Sequence, residues 1–412
     1  MSFFRMVLGF VASMLVTNAW AESSCGTVTT YQDVLICAER RSSDVQKAES
    51  FRDEMGPRVD VATQLPNPEL AVDSMSGTAN SNRVTETNLS LAFPIEWGGK
   101  RQARKQVAEA ELNKADYELL RTRSEVRKTA LLNLIRLRQA LSEKELLEEA
   151  LETFTKLVKQ YESRPARSPE QEVTLTVFKI AKGEYSLKRT ESDEEIADLE
   201  AYFKVNTGLG LSELKKVLPP KVTKWPKLPT AENIESSLLL SGFRADIQLA
   251  EGQLNEARSE AWPTLRLGPS AKFTNDSSQD LQQWGANLSL TLPLFHLNGA
   301  GKKAAGASKQ SAELRQDLAL KQLQTMRETT VRFYETAVAA LRDALQDNSL
   351  EEKHHKLEVF FMKGVVSSAL VIEAHRSLLE FSKLRNDREG RAIEAYLKLQ
   401  IIDGRPVEFS YE

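Results

Sequence analysis

Gly299-Ala300-Gly301-Lys302-Lys303-Ala304 stands between a strand-like run and a helical one, the position from which a glycine-rich loop cradles a dinucleotide phosphate. The helical run that follows is roughly 60 residues, far longer than the helix of a βαβ unit. A similar stretch, Trp97-Gly98-Gly99-Lys100-Arg101, occupies the corresponding place in the first half of the chain. Two such stretches ahead of two long helices read as strand-to-rod junctions in which glycine lets the chain turn. His354 and His355 are adjacent and do not share one helix face, while His296 and His375 are isolated. Two Cys and four His are too few for a zinc scaffold or a haem-rich protein. No Ser/His/Asp or Cys/His set, HExxH or P-loop is present, so the sequence predicts no enzyme, no cofactor and no metal ligand.

The elements around these junctions are written twice. Asn88-Leu89-Ser90-Leu91-Ala92-Phe93-Pro94 recurs as Asn287-Leu288-Ser289-Leu290-Thr291-Leu292-Pro293, and Pro68-Glu69-Leu70 recurs as Pro263-Thr264-Leu265. After each junction an Ala-rich helix start leads to Glu111-Leu112 and to Glu313-Leu314. Four ordered elements at nearly one offset define a tandem duplication. Residues 22–210 form the first repeat, 211–230 a linker and 231–412 the second repeat; Gly208, Gly210, Pro219, Pro220, Pro226 and Pro229 break the helical pattern between them.

Each repeat contains two strand-like runs, 68–76 with 85–95 and 263–273 with 284–294. Leu89, Leu91, Phe93 and Ile95 alternate with Asn88, Ser90 and Ala92, and Leu288, Leu290, Leu292 and Leu294 alternate with Asn287, Ser289 and Thr291. Leu70 and Val72 oppose Glu69, Ala71 and Asp73, while Leu265, Leu267 and Phe273 oppose Arg266, Ser270 and Lys272. Period two gives one apolar and one polar face. At about 9–11 residues, such strands match the length that crosses a bilayer at a barrel tilt. Trp97, Trp262 and Trp284 fall at strand ends, where an interfacial girdle would stand. A soluble sheet lying on a helix core fits the same pattern. If the strands do meet lipid, four per chain cannot close a barrel, and identical chains must associate.

The remainder is helical. From Lys100 to Glu162 there is neither Gly nor Pro, and from Lys302 to Lys363 only Gly306, which predicts two rods of ~90 Å. Val126, Ala130, Leu134, Leu137 and Leu141 step along one as a coiled-coil-like seam. Shorter helices are expected over about 28–58, 169–206, 231–260 and 368–402. Lys and Arg total 55 against 58 Asp and Glu, a net charge of −3 that argues against a nucleic-acid partner.

Residues 1–21 read as a secretory signal, with Arg5, an apolar run from Met6 to Val16 and Ala19-Trp20-Ala21 as a cleavage site. Cys25 and Cys37 then share an oxidising compartment and could pair. Glu22-Ser23-Ser24 ahead of Cys25 reads against a lipid-anchored cysteine.

The duplicated order of helix, strand, loop, strand and long helix resembles the TolC family of outer-membrane efflux proteins. The resemblance is carried by Pro66-Asn67-Pro68-Glu69-Leu70, by the strand ending Pro94-Ile95-Glu96-Trp97-Gly98-Gly99-Lys100-Arg101, and by the turn with Phe361, Gly364 and Ser367. The Pro94–Arg101 string is similar to the heavy-metal, CzcC-like branch. The resemblance implies an α+β membrane protein: a homotrimer whose four strands per chain make a 12-stranded outer-membrane β-barrel, continued by a long α-helical coiled-coil barrel across the periplasm. It further implies a passive exit duct for heavy-metal cations, docked on a periplasmic adaptor and an inner-membrane pump of the resistance-nodulation-division type. The alternatives are a duct for drugs or type I protein secretion, and a soluble periplasmic coiled-coil adaptor or scaffold. By the same resemblance, Gly364 and Ser367 belong to the adaptor-docking turn, and Glu373 rings the inner constriction with Glu172 as a loose partner. The alternative for Glu373 is a solvated acid near a helix start. Leu370 departs from the family pattern, as does the first turn, Arg164-Pro165-Ala166-Arg167-Ser168-Pro169.

Overall fold

Where neither Gly nor Pro interrupts the chain, one helix runs unbroken from Lys100 to Glu162, 63 residues and about 95 Å. A computed structural model describes residues 25–79, 82–228, 234–276, 279–295, 297–344, 356, 359–361, 363 and 365–409. The expected signal segment, His296, His354, His355 and Gly364 lie outside the described residues.

The order of elements is α1 (Tyr31–Arg41), α2 (Ser43–Thr63), β1 (Glu69–Ala79), β2 (Asn82–Ile95), α3 (Lys100–Glu162), α4 (Pro169–Thr207) and a single turn α5 (Leu211–Leu214). A 3-10 turn (Ile234–Ser236) then precedes α6 (Leu238–Ser259), β3 (Thr264–Asp276), β4 (Gln279–Thr291), α7 (Gly299–Asp343) and α8 (Ser368–Ile402). A hairpin, a long helix and a shorter helix thus occur in the same order in both halves, led by two helices in the first and by one helix behind a 3-10 turn in the second. The helices after the hairpins start 199 residues apart, at Lys100 and Gly299, and so do the two that follow, at Pro169 and Ser368.

Several boundaries differ from the sequence expectation. The first helix divides at Ser42, whose extended backbone and side chain cap α2 through Val45 N–H. The second repeat's leading helix starts at Leu238. The long helix expected over 302–363 ends at Asp343, because Ala344 is extended (ψ 148°). β4 stops at Thr291, short of 294, while all four strands run further towards the hairpin tips, leaving turns shorter than the polar stretches suggested.

The core lies at mid-length of α3. Ala130, Leu134 and Leu137 of the expected seam are buried and Val126 and Leu141 are half-buried. Around them pack Val34 and Ala38 of α1, Phe203 of α4, and Ile393 and Leu397 of α8. The linker lies against this core. Arg138 donates to the Pro219 and Pro220 carbonyls and pairs with Glu389 at 2.5 Å, and Glu389 also accepts from Val222 N–H. Trp225 stacks edge-on to Tyr334 and Phe409, and the Tyr334 hydroxyl donates to the Pro226 carbonyl. Cys25 and Cys37 form a disulfide with Cα atoms 5.4 Å apart, holding the start of the described chain beside the Thr207 carbonyl that ends α4.

Just beyond α8, Asp403 accepts two hydrogen bonds from Arg327 of α7, at 2.7 and 3.0 Å, and its side chain is 0% exposed. Replacing Arg327 with Met leaves that carboxylate buried without its guanidinium and is expected to cost about 3–5 kcal/mol. The denaturant midpoint of Arg327→Met followed by circular dichroism checks this, with the Arg327→Met/Asp403→Leu double variant recovering most of the loss.

Candidate functional site

The alternation in the strands becomes a two-faced wall once the register is fixed. The sheet order is β1-β2-β3-β4, antiparallel throughout. Leu70 stands opposite Leu91 and Val72 opposite Leu89; Phe93 meets Leu267, Ile95 meets Leu265, and Leu265 and Leu267 meet Leu290 and Leu288. These residues share one face, and the large side chains on it are mostly open to the surroundings. Along β3 the band reaches from Leu265 to Phe273, roughly 25 Å at 3.3 Å per residue. The opposite face carries Glu69, Glu86, Asn88, Ser90, Arg266, Ser270 and Lys272. Arg266 pairs with Glu69 at 3.2 Å and Lys272 with Glu86 at 2.8 Å. An apolar face open to its surroundings and a polar face with internal ion pairs reverse the arrangement of a sheet folded onto an apolar core. β1 and β4 are the outer strands and meet no further strand among the described residues.

At the helix end of the sheet the chain turns through Gly98 (φ 67°) and Gly99 (φ 80°) into α3. A Cβ on Gly98 would lie 2.1 Å from Cγ of Trp262, so both the backbone angle and the indole require glycine here. Trp262 and Trp97 pack with ring centroids 6.3 Å apart, and Trp97 Nε1–H donates to the Pro263 carbonyl. Glu96 accepts two hydrogen bonds from Arg104, at 2.6 and 2.9 Å, and this pairing holds its carboxyl below the usual range. In the second repeat the turn is made differently. Asn298, with φ 50°, donates to the Ala257 carbonyl and to Glu260. Gly299 and Gly301 are therefore inside α7 and do not form the turn, and Gly301 is needed because the Asn298 side chain occupies the space a Cβ would take. Trp284 is not at a strand end either. It stands within β4 opposite Ala271 and packs edge-on to Phe273, seven residues from Thr291. Trp97 and Trp262 thus flank one edge of the apolar band and Trp284 with Phe273 the other.

At the far end of α3, Arg167 closes the turn. It donates to the Tyr161 and Glu162 carbonyls that end the helix and to Glu172 at 2.6 Å. Ser168 and Gln171 form a capping box for α4, with Pro169 at its first position. Ser367 is the exposed N-cap of α8, 199 residues on from Ser168. Glu373 accepts from Arg376 at 2.5 Å and from the Ser377 hydroxyl at 3.3 Å. Both acids picked from the sequence are therefore half-exposed and paired with an arginine of their own segment. Sequence reasoning missed what fixes these turns: Phe154, Phe178, Tyr185 and His375 form a buried cluster, with ring centroids 5.2 Å (Phe154–Tyr185) and 5.3 Å (Phe154–His375) apart. Burial raises the Tyr185 hydroxyl above its usual pKa. The helical spacing of Phe178 and Tyr185 on α4, seven residues apart, was the available signal.

Residues 36–167, from α1 to the first turn, match the family model described as outer membrane efflux protein. This stretch of the first repeat is thus similar to outer membrane efflux proteins. Over 241 residues it is 22% identical to the cobalt-zinc-cadmium resistance protein CzcC of Cupriavidus metallidurans, a match covering 58% of this chain and 56% of that relative. Among solved structures, the Campylobacter jejuni CmeC outer membrane channel superposes with a TM-score of 0.71 at 14% identity, covering 93% of this chain and 87% of that one. The outer membrane protein VceC of Vibrio cholerae superposes with a TM-score of 0.69 at 17% identity, covering 92% and 97%. The two repeats together therefore have the α+β fold seen in these outer-membrane channels.

Two outcomes follow for the first junction, at the helix end of the sheet. Gly98→Ala is expected to destabilise by about 1–3 kcal/mol, through the left-handed backbone and the displaced indole, read as a lower thermal midpoint and an altered Trp emission. Glu96 has a lowered carboxyl pKa, so its pairing with Arg104 stabilises fully above the usual carboxylate range and is lost as pH falls through it. Between about pH 6 and pH 3 the wild type should lose more stability than Glu96→Gln.

Proposed function

We propose that this chain is the outer-membrane component of a tripartite efflux system, a passive exit duct for heavy-metal cations. The observation that carries the reading is the exposed apolar band, roughly 25 Å tall and bordered by tryptophans, on a sheet whose opposite face is polar and whose helices extend about 95 Å to one side. Strands in lipid need every backbone group paired, so the open edges of β1 and β4 require copies of the same chain. The outgoing β4 runs antiparallel to an incoming β1, and three copies of four strands give a barrel of twelve. The signal segment at 1–21 and the disulfide at Cys25 and Cys37 support export to the periplasmic side.

The metal assignment rests on similarity to a cobalt-zinc-cadmium resistance protein. In this reading the turns at 163–168 and around Ser367 and Gly364 face a periplasmic adaptor, which links the duct to an inner-membrane pump. Glu373 and Glu172 supply the acidic ring at the narrow inner end. Because each is paired with an arginine, the ring's net field depends on how Arg167 and Arg376 are held. The duct performs no chemistry, and its work is confined to shape and charge.

Conductance of the detergent-purified full chain in a planar bilayer tests the proposal. Discrete steps from an SDS-resistant trimer are expected, and Glu373→Ala should shift the reversal potential in a salt gradient towards anions, since it leaves Arg376 without its acid. A protein that fractionates as water-soluble and gives no steps overturns the channel reading. Steps that ignore Glu373→Ala overturn its place at the constriction.

A further inference from the structure

The two hairpins are copies at the level of register. Leu70 faces Leu91 in the first and Leu265 faces Leu290 in the second. β4 is therefore β2 displaced by 199 residues, as Asn88 and Asn287 also show, and β3 is β1 displaced by 195, as Pro68 and Pro263 show. Within the chain the outgoing strand of the first hairpin pairs with the incoming strand of the second, and the ladder places Phe93 opposite Leu267 and Ile95 opposite Leu265. The outgoing strand of the second hairpin has no such partner among the described residues of its own chain.

We infer that β4 of one copy pairs with β1 of the next in the register of the internal β2–β3 seam, so that Leu292 lies opposite Val72 of the next copy and Leu294 opposite Leu70 of the next copy. The inference rests on the multi-copy barrel proposed above and adds its seam. Three observations converge on it. The four residues that the displacement brings together are all apolar, as are the four they copy. All four are exposed in the single chain: Leu292 57%, Leu294 71%, Leu70 67% and Val72 61%. β2 reaches Ile95 while β4 ends at Thr291, three residues short of Leu294, the counterpart of Ile95. Those three residues are where the missing partner would supply the hydrogen bonds that hold an extended backbone in a ladder. The same displacement sets the polar Ser74 and Ser76 of the next copy opposite Leu290 and Leu288, so the apolar contact is concentrated at the helix end of the seam, next to the strand-to-rod junctions.

Disulfide trapping in the full-length protein, purified from outer membranes in detergent, tests the register. Directly opposed residues in an antiparallel ladder lie within reach of a disulfide, whereas pairs two residues out of step do not. Leu70→Cys/Leu294→Cys and, as an independent second variant, Val72→Cys/Leu292→Cys are expected to convert most chains to covalent dimers and trimers on non-reducing gels of samples boiled in SDS, which dissociates the non-covalent trimer seen in unheated samples. These should return to monomer on reduction. The out-of-step pairs Leu70→Cys/Leu292→Cys and Val72→Cys/Leu294→Cys, and the four single variants, should stay monomeric on the same gels. Covalent ladders from the out-of-step pairs and none from the in-step pairs, in a protein that remains an SDS-resistant trimer, would overturn the register and leave the channel reading intact. Absence of any oligomer before oxidation would overturn both.

Discussion

Backbone N–H and C=O groups at the edge of a sheet must find partners, and in hydrocarbon no water supplies them. This chain builds a wall with one apolar face, and β1 and β4 meet no further strand among the described residues. Most other features are consequences of that combination. The ion pairs of Arg266 with Glu69 and Lys272 with Glu86 lie on the face away from the apolar band, where charge can stay hydrated. A sheet meant for a soluble core would have its apolar band covered, whereas here Leu70, Val72 and Leu288 stay exposed.

The wall is useful only if it is set rigidly on the helices, and the two junctions achieve this by different chemistry. In the first repeat, glycine at positive φ leaves room for Trp262, and Trp97 and the Glu96–Arg104 pair lock the corner. In the second, Asn298 adopts the left-handed conformation and anchors itself through Glu260 and the end of α6, with Gly301 making space. Asparagine is the residue other than glycine that tolerates this conformation most readily. Both long helices are thus entered through a left-handed residue, Gly99 in one repeat and Asn298 in the other, although only the first junction adds a second one at Gly98.

At the opposite end of the rods, the turns are fixed by an aromatic cluster and by arginines that close on their own acids. Glu172 and Glu373 are consequently members of ion pairs before they are members of any ring. Mid-way, Arg138 with Glu389 and Arg327 with Asp403 tie the linker and the segment after α8 to the bundle. Both pairs are largely buried, so each holds position mainly because losing one partner strands the other.

Much of this was legible in the sequence because it depends on local periodicity. The absence of Gly and Pro from 100–162 dictated the rod, period-two alternation dictated the two faces, and the repeated strings dictated the duplication. Trp97 and Trp262 could be placed at the strand bases for the same reason. Trp284 could not, since the strand's true start depends on how far the hairpin ladder continues towards its tip, which is a pairing property. In sequence Gly299 and Gly301 look like the turn, because a turn made by Asn298 resembles ordinary chain until its φ is known. The Phe154–Tyr185–His375 cluster and the Arg327–Asp403 pair join residues from different helices or from beyond a helix end, whereas Glu373 with Arg376 is an i,i+3 pair that helical spacing offers by itself. Sequence alone determined which segments are rods and which are two-faced strands; the tertiary structure decided where each strand and turn ends and which buried charges are neutralised, as in Arg138–Glu389 and Arg327–Asp403, because those depend on contacts between segments far apart in the chain.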